Sequence, residues 1–170
     1  MSSQVKNHNL DSAHSSPDEH KRKSKNKLAN FQNFEAWKKA CDEILAKPFP
    51  PQSSNFPEED IKSALNTNFS KFSNWQIICE EILDTEHPHT YLQKGYEELR
   101  RRGKSEREIF EMRRFAWYTA GWFNFPMMVW DWVNLDESDI MLAIKWLFDY
   151  DQITQDERLV FENFVRLHGN

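Results

Sequence analysis

Residues 30–45 read NFQNFEAWKKACDEIL, and residues 68–83 read NFSKFSNWQIICEEIL. Eight of the sixteen positions are identical at a fixed offset of 38. Asn30 pairs with Asn68, Phe31 with Phe69, Phe34 with Phe72, Trp37 with Trp75 and Cys41 with Cys79; Glu43-Ile44-Leu45 then pairs with Glu81-Ile82-Leu83. Pro50 and Pro88 share the offset, as do Glu59 and Glu97. Counted from Phe31 or Phe69, apolar residues recur at 0, 3, 6, 10, 13 and 14, which is the stripe of a helix with one buried face. A period near 38 lies in the range of helix-pair repeats. Each unit should therefore hold a first helix (about 33–46 and 71–84) and a second one beyond a proline-containing loop (about 57–66 and 89–102).

Downstream, the pattern stays helical. Gly103 follows Leu99-Arg100-Arg101-Arg102 as a stop signal. Ser105 with Glu108 forms a capping box for a helix over about 106–122. This helix is apolar on two faces (Ile109, Met112, Ala116 and Ala120; Phe110 and Trp117), so it should be central. Pro126 opens or kinks a short aromatic helix over about 126–133. Asp136 caps a helix over about 137–149 with Ile140, Ala143, Ile144 and Leu147 inward. A second capping box, Thr154 with Glu157, starts a last helix, for which Val160, Phe161, Phe164 and Leu167 are the expected inward residues. The reading is an all-α, compact bundle of about eight helices, its first half a duplicated helix-pair unit of period 38.

Domain organisation follows from composition. Residues 1–29 are polar, without apolar periodicity, and carry a net +3; the rest of the chain therefore carries −8 of the total −5. Such a segment cannot bury enough apolar surface to offset the entropy of ordering it. A disordered basic tail (1–29) is expected ahead of a single all-α domain (30–170), comprising repeat units 30–67 and 68–105 and aromatic-rich helices 106–170. No secretory signal peptide is expected, since the first 29 residues contain no apolar run. The longest apolar-leaning stretch, Phe115 to Trp130, is broken by Thr119, Asn124 and Pro126 and is shorter than the roughly 20 residues a spanning helix needs. A cytoplasmic protein with reduced thiols and no membrane contact is the resulting expectation.

Several chemistries are excluded or disfavoured. The chain has four glycines and none in residues 1–94, so glycine-rich phosphate loops and dinucleotide fingerprints are ruled out there. Cys41 and Cys79 sit at equivalent stripe positions with no Cys-x-x-Cys spacing, which suits core packing better than redox chemistry. Carboxylates and imidazoles crowd together only over Glu80–His89, where Pro88 separates Glu86 from His89 and no second histidine motif completes a metal site. No metal and no cofactor is expected, nor is an enzyme, though a metal-dependent one around Asp84–His89 stays open.

The most informative composition lies near the C-terminus. Twelve of the 24 aromatic residues fall within 110–150, and residues 135–170 hold eight acids against Lys145, Arg158 and Arg166. Aromatic anchors in a polar rim are the makeup of a protein interface. The sequence thus points to a non-enzymatic protein–protein interaction module of inhibitor, immunity or adaptor type. It would bind a basic partner, or a second copy of itself, through Trp130, Trp132, Asp136, Glu137, Trp146, Asp149, Tyr150 and Asp151. The alternative is a nucleic-acid-associated protein using Lys21, Arg22, Lys23, Lys25 and Lys27 with Arg100, Arg101 and Arg102, because phosphate binding needs little beyond positive charge.

Overall fold

The structure is a computed structural model and describes residues 34–47, 56–83, 87–125 and 135–169. The tail over 1–29, the short helix expected over 126–133, and Trp130 and Trp132 lie outside the described residues. Among the described residues all regular secondary structure is helical, with no strand. Helix α1 spans Phe34–Leu45, α2 Glu58–Asn66, α3 Asn74–Cys79 and α4 His89–Arg101, with a 3₁₀ turn at Phe69–Lys71 ahead of α3. Helix α5 begins as Glu106–Ala116 and runs without a break through a π-helical turn, Trp117–Gly121, into a last turn, Trp122–Asn124. Helices α6 (Glu137–Asp149) and α7 (Gln155–His168) complete the described fold.

The boundaries are set by local chemistry. Ser105–Glu108 and Thr154–Glu157 form the expected capping boxes, and Asp136 caps α6 through a third box with Asp139. Gly103, at φ +87°, ends α4: its N–H donates to the Arg100 carbonyl, and that of Lys104 donates to Leu99, the double bond of a Schellman stop. Pro57 and Pro88 stand just before α2 and α4, not within their first turns.

Helix α5 is the hub. Helices α1, α3 and α4 pack against it, and α1 and α6 close over its π turn. One apolar cluster runs through the described residues, from Phe34 and Cys41 on α1 to Val165 on α7, with Trp75, Ile78, Cys79, Leu99, Met112, Ala120, Trp122, Ile144 and Leu147 sealed within it. The two cysteines are free and buried, as their stripe positions imply. Burial pushes both thiols up, Cys41 to about 12, so neither carries a reactive thiolate near neutral pH.

The sequence duplication is not carried into equivalent packing. The first copy is helical over Phe34–Leu45, whereas the equivalent stretch of the second, 72–83, is α-helical only over Asn74–Cys79. The later start is chemical in origin. Ser73 and Gln76 form a capping box that starts α3 afresh, while the equivalent residues of the first copy, Glu35 and Lys38, form an ion pair along an uninterrupted helix. In the second half of each unit, α2 packs on α4, and α4 in turn packs on α3.

Two burial expectations are corrected. Phe110 is exposed, because α5 turns Ile109, Met112 and Ala116 inward and needs no second apolar face that early. On α7, Phe161 and Phe164 pack against the core and Val165 and His168 are buried, a spacing of 0, 3, 4 and 7. That face leaves Val160 and Leu167 outward, 64% and 73% exposed.

Gly95 lets α3 and α4 approach closely. A Cβ there would lie 3.0 Å from Ile77 Cγ2 and 3.5 Å from the Phe69 ring. Gly95→Leu should lower stability by about 1–3 kcal/mol through overpacking, read as a fall in the midpoint of thermal or urea unfolding.

Candidate functional site

The described residues of the sequence-derived surface, Asp136, Glu137, Trp146, Asp149, Tyr150 and Asp151, lie on α6 or at its two ends. Asp136 is engaged in the structure itself: its side chain accepts from the Ser138 N–H at 2.7 Å, and Asp139 returns the bond to the Asp136 N–H. Glu137 reaches the far end of α7, where its carboxylate occupies the space a side chain at Gly169 would need. Trp146 is half-buried, its ring edge-on to Phe123 at 5.0 Å and 5.4 Å from Tyr150. These three residues therefore serve the fold at least in part. Asp149 and Asp151 are exposed at the turn joining α6 to α7, with Asp149 paired to Lys145 on the same helix face. Trp130 and Trp132 lie outside the described residues and cannot be placed on this surface.

Asp151 has a special backbone. It is the only non-glycine residue with positive φ (57°) among the described residues. Its N–H donates to the Phe148 carbonyl and that of Gln152 donates to Leu147, the same double bond that ends α4. Glycine fills this role in α4, whereas here an acid does.

Sequence reasoning missed the outward face of α7. Asp156, Val160, Asn163 and Leu167 recur at the spacing of one helix face. All four are exposed, and Leu159 beside them is 49% exposed. A signal existed, since α7 carries two apolar stripes. Choosing between them requires knowing that Phe115 on α5 faces α7: its ring lies 5.2 Å from Phe161 and 4.7 Å from Phe164.

The basic cluster on α4 is largely neutralised. Arg101 forks onto Glu98, and Arg102 shares the same carboxylate while also bonding Asn74 and the Phe69 carbonyl. Those hydrogen bonds, Arg101 first, hold the Glu98 carboxyl down at about 2. Arg100 pairs with Glu106, and Arg107 with Glu111. Lys21, Arg22, Lys23, Lys25 and Lys27 lie outside the described residues.

The densest polar chemistry is interior. The Glu81 carboxylate accepts two hydrogen bonds from Arg113, at 2.7 and 2.8 Å, one from Tyr96 Oη at 2.7 Å and one from Trp117 Nε1 at 3.2 Å. Next to Arg113, Arg114 forks outward onto Asp42 at 2.8 and 3.0 Å, and Tyr118 Oη donates to the same carboxylate. The Arg114 bonds hold the Asp42 carboxyl below its ordinary range, and burial with the Asp42 bond pushes Tyr118 up to about 12. Glu80, 7% exposed, accepts from Tyr91 Oη at 3.0 Å and has His87 Nε2 3.1 Å away, off the axis of a hydrogen bond. The His87 ring stacks on Tyr91 at one end of an open groove of about 370 Å³ between α2 and α4. Among the described residues, no group of three or more His, Cys, Asp or Glu side chains is placed to hold a metal ion. Nor is any described helix long and apolar enough to cross a membrane.

No family model, curated protein or solved structure matches this chain.

Two variants probe this chemistry. Arg113→Met leaves the Glu81 carboxylate buried without its cation and should cost about 3–5 kcal/mol, measured by urea unfolding. Asp151→Gly relieves the left-handed backbone and should raise stability by up to about 1 kcal/mol, seen as a later thermal midpoint.

Proposed function

We propose that the protein is a non-enzymatic binding module of the cytoplasm that engages a basic protein through its α6–α7 hairpin. The observation carrying this reading is the outward face of α7. Leu159, Val160 and Leu167 stand exposed on it, with Asp149, Asp151 and Asp156 at its N-terminal end. Apolar side chains gathered on one solvent-facing stripe mark a recognition surface far more often than singly scattered ones do. Carboxylates at its rim would steer and select a partner of opposite charge.

Asp151 adds weight. Glycine would serve the helix stop at lower conformational cost, so an acid there suits a demand other than folding. The buried, unactivated cysteines and the acids tied into caps and ion pairs favour binding over catalysis, and two free thiols fit a reducing compartment. The pairing of Arg100, Arg101 and Arg102 with carboxylates weighs against a phosphate-binding role for that cluster.

The test is affinity capture from nuclease-treated lysate of the source cell at moderate salt, using three baits. These are the wild type, Val160→Asp with Leu167→Asp, and Asp149→Asn with Asp151→Asn. Asparagine tolerates the left-handed conformation at position 151. The wild type should retain one basic protein in stoichiometric amount, and each variant should bind it at least about tenfold more weakly, equivalent to about 1.4 kcal/mol. Both variants should melt within a few degrees of the wild type. Equal retention by all three baits would refute the surface, and a protein retained from untreated lysate but not from nuclease-treated lysate would transfer the role to nucleic acid.

A further inference from the structure

The last turn of α7 is held by bonds to its backbone. The carbonyl oxygen of His168 accepts from Asn74 Nδ2 at 3.0 Å, and that of Val165 accepts from Trp75 Nε1 at 2.9 Å. Both donors are sealed, with Asn74 1% exposed and Trp75 fully buried. Asn74 is fixed in turn by Arg102, whose Nη1 donates to Asn74 Oδ1 at 2.9 Å. The His168 imidazole is buried with this junction and packs on the Phe164 ring, centroids 4.4 Å apart. Its Nδ1 is shut away from solvent and has no hydrogen-bond partner.

This arrangement fits only the neutral ring. A neutral imidazole carries one N–H and one acceptor nitrogen, whereas the cation carries two N–H donors. Protonated His168 would need an acceptor at Nδ1, and none is there among the described residues. An unmet donor on a buried charged group costs more than the loss of an ordinary hydrogen bond.

The surrounding charges are mixed. Lys104, in the turn ahead of α5, opposes a second cation, while Glu108 and Glu111 on α5 favour one. Glu137 on α6 lies against Gly169, Arg102 at the C-terminal cap of α4 stands behind Asn74, and Arg166 on α7 is exposed and paired with Glu162. Burial is the largest influence and, together with Lys104, moves the His168 imidazole below its ordinary value.

We propose that His168 is a proton-sensitive latch whose neutral ring lets the last turn of α7 dock on Asn74 and Trp75, and whose protonation releases that turn. The direction follows from linkage. The unfolded chain binds the proton more readily than the folded one, so stability is full above the ordinary histidine value of about 6.5. It falls as the pH drops below that value and levels off once the native value is passed. Leu167 lies in the released turn, so part of the outward apolar stripe would move with it. The latch itself rests on the interior of α7 and stands whether or not that stripe binds a partner.

The experiment is amide hydrogen exchange of the full chain at about pH 7.5 and about pH 5.5, corrected for intrinsic rates. It is paired with an NMR titration of the His168 ring. The protection factors of Val165–His168 should fall several-fold at the lower pH, more than those of α5. The His168 ring should titrate below the midpoint of an exposed histidine. Lys104→Gln should move that midpoint up, and His168→Leu should abolish the pH dependence while keeping the turn protected at pH 7.5. Should His168→Leu undock by itself, the wild-type ring titration and Lys104→Gln still decide the matter. A His168 midpoint at or above the ordinary value, protection that does not change with pH, or a midpoint indifferent to Lys104→Gln would overturn the latch.

Discussion

A buried carboxylate organises the centre of this molecule. Glu81 sits in the turn just after α3, about a tenth of its side chain exposed, and stripping it of water is costly unless its lone pairs are met. Arg113, Tyr96 and Trp117 supply four donors. They come from α4, from α5 and from the π turn, so one ion pair ties three successive stretches of helix into a single arrangement. An apolar core tolerates some sliding of one helix on another. A carboxylate with four directed bonds does not, because displacement leaves a charge without its partners.

The repeated motif takes on added meaning beside this centre. Asp42, in the first copy, and Glu81, in the second, are bound by Arg114 and Arg113, neighbours on α5. Consecutive residues on a helix point about 100° apart, so the two arginines address different sides of α5. The inner pair is nearly enclosed, whereas the outer pair is roughly half exposed on each side chain. Pairs exposed to that degree contribute little in water. Geometry thus gives the two related motif copies unequal roles, with Glu81–Arg113 fixing the packing and Asp42–Arg114 sitting at its edge.

Much of the architecture was legible from short-range chemistry. Ser105–Glu108, Thr154–Glu157, Asp136 and Gly103 act over three or four residues, and their outcome needs no knowledge of the rest of the chain. The late helix start within the second motif copy was legible in principle, since Ser73 and Gln76 are a capping pair, but the likeness between the copies masked it. The face of α7 is a different matter. Periodicity alone does not choose between its two apolar stripes; Phe115 and Trp75, both distant in the sequence, select the one that carries Phe161 and Phe164. The candidate surface was legible to the same degree. Exposure of Asp149 and Asp151 follows from their place at a helix end, while Asp136 and Glu137 are drawn into local contacts, and the partners of Arg100–Arg102 depend on which acids the fold brings beside them.

The manner in which α7 is attached bears on what its outer face is free to do. Trp75 and Asn74 donate to carbonyl oxygens of α7, not to its side chains, and the inner contacts are made by Phe161, Phe164, Val165 and His168. Neither kind of contact involves Val160, Asn163 or Leu167. A solvent-facing helix position with no packing role is ordinarily filled at least cost by a polar or charged residue, as Asp156 and Arg166 on the same helix illustrate. Valine is also a poorer helix former than most alternatives there. At 64% exposure, on one helix face with Leu167, it has no packing role among the described residues. On the binding role proposed above, contact with another molecule would convert that exposed apolar area from a liability in water into buried surface.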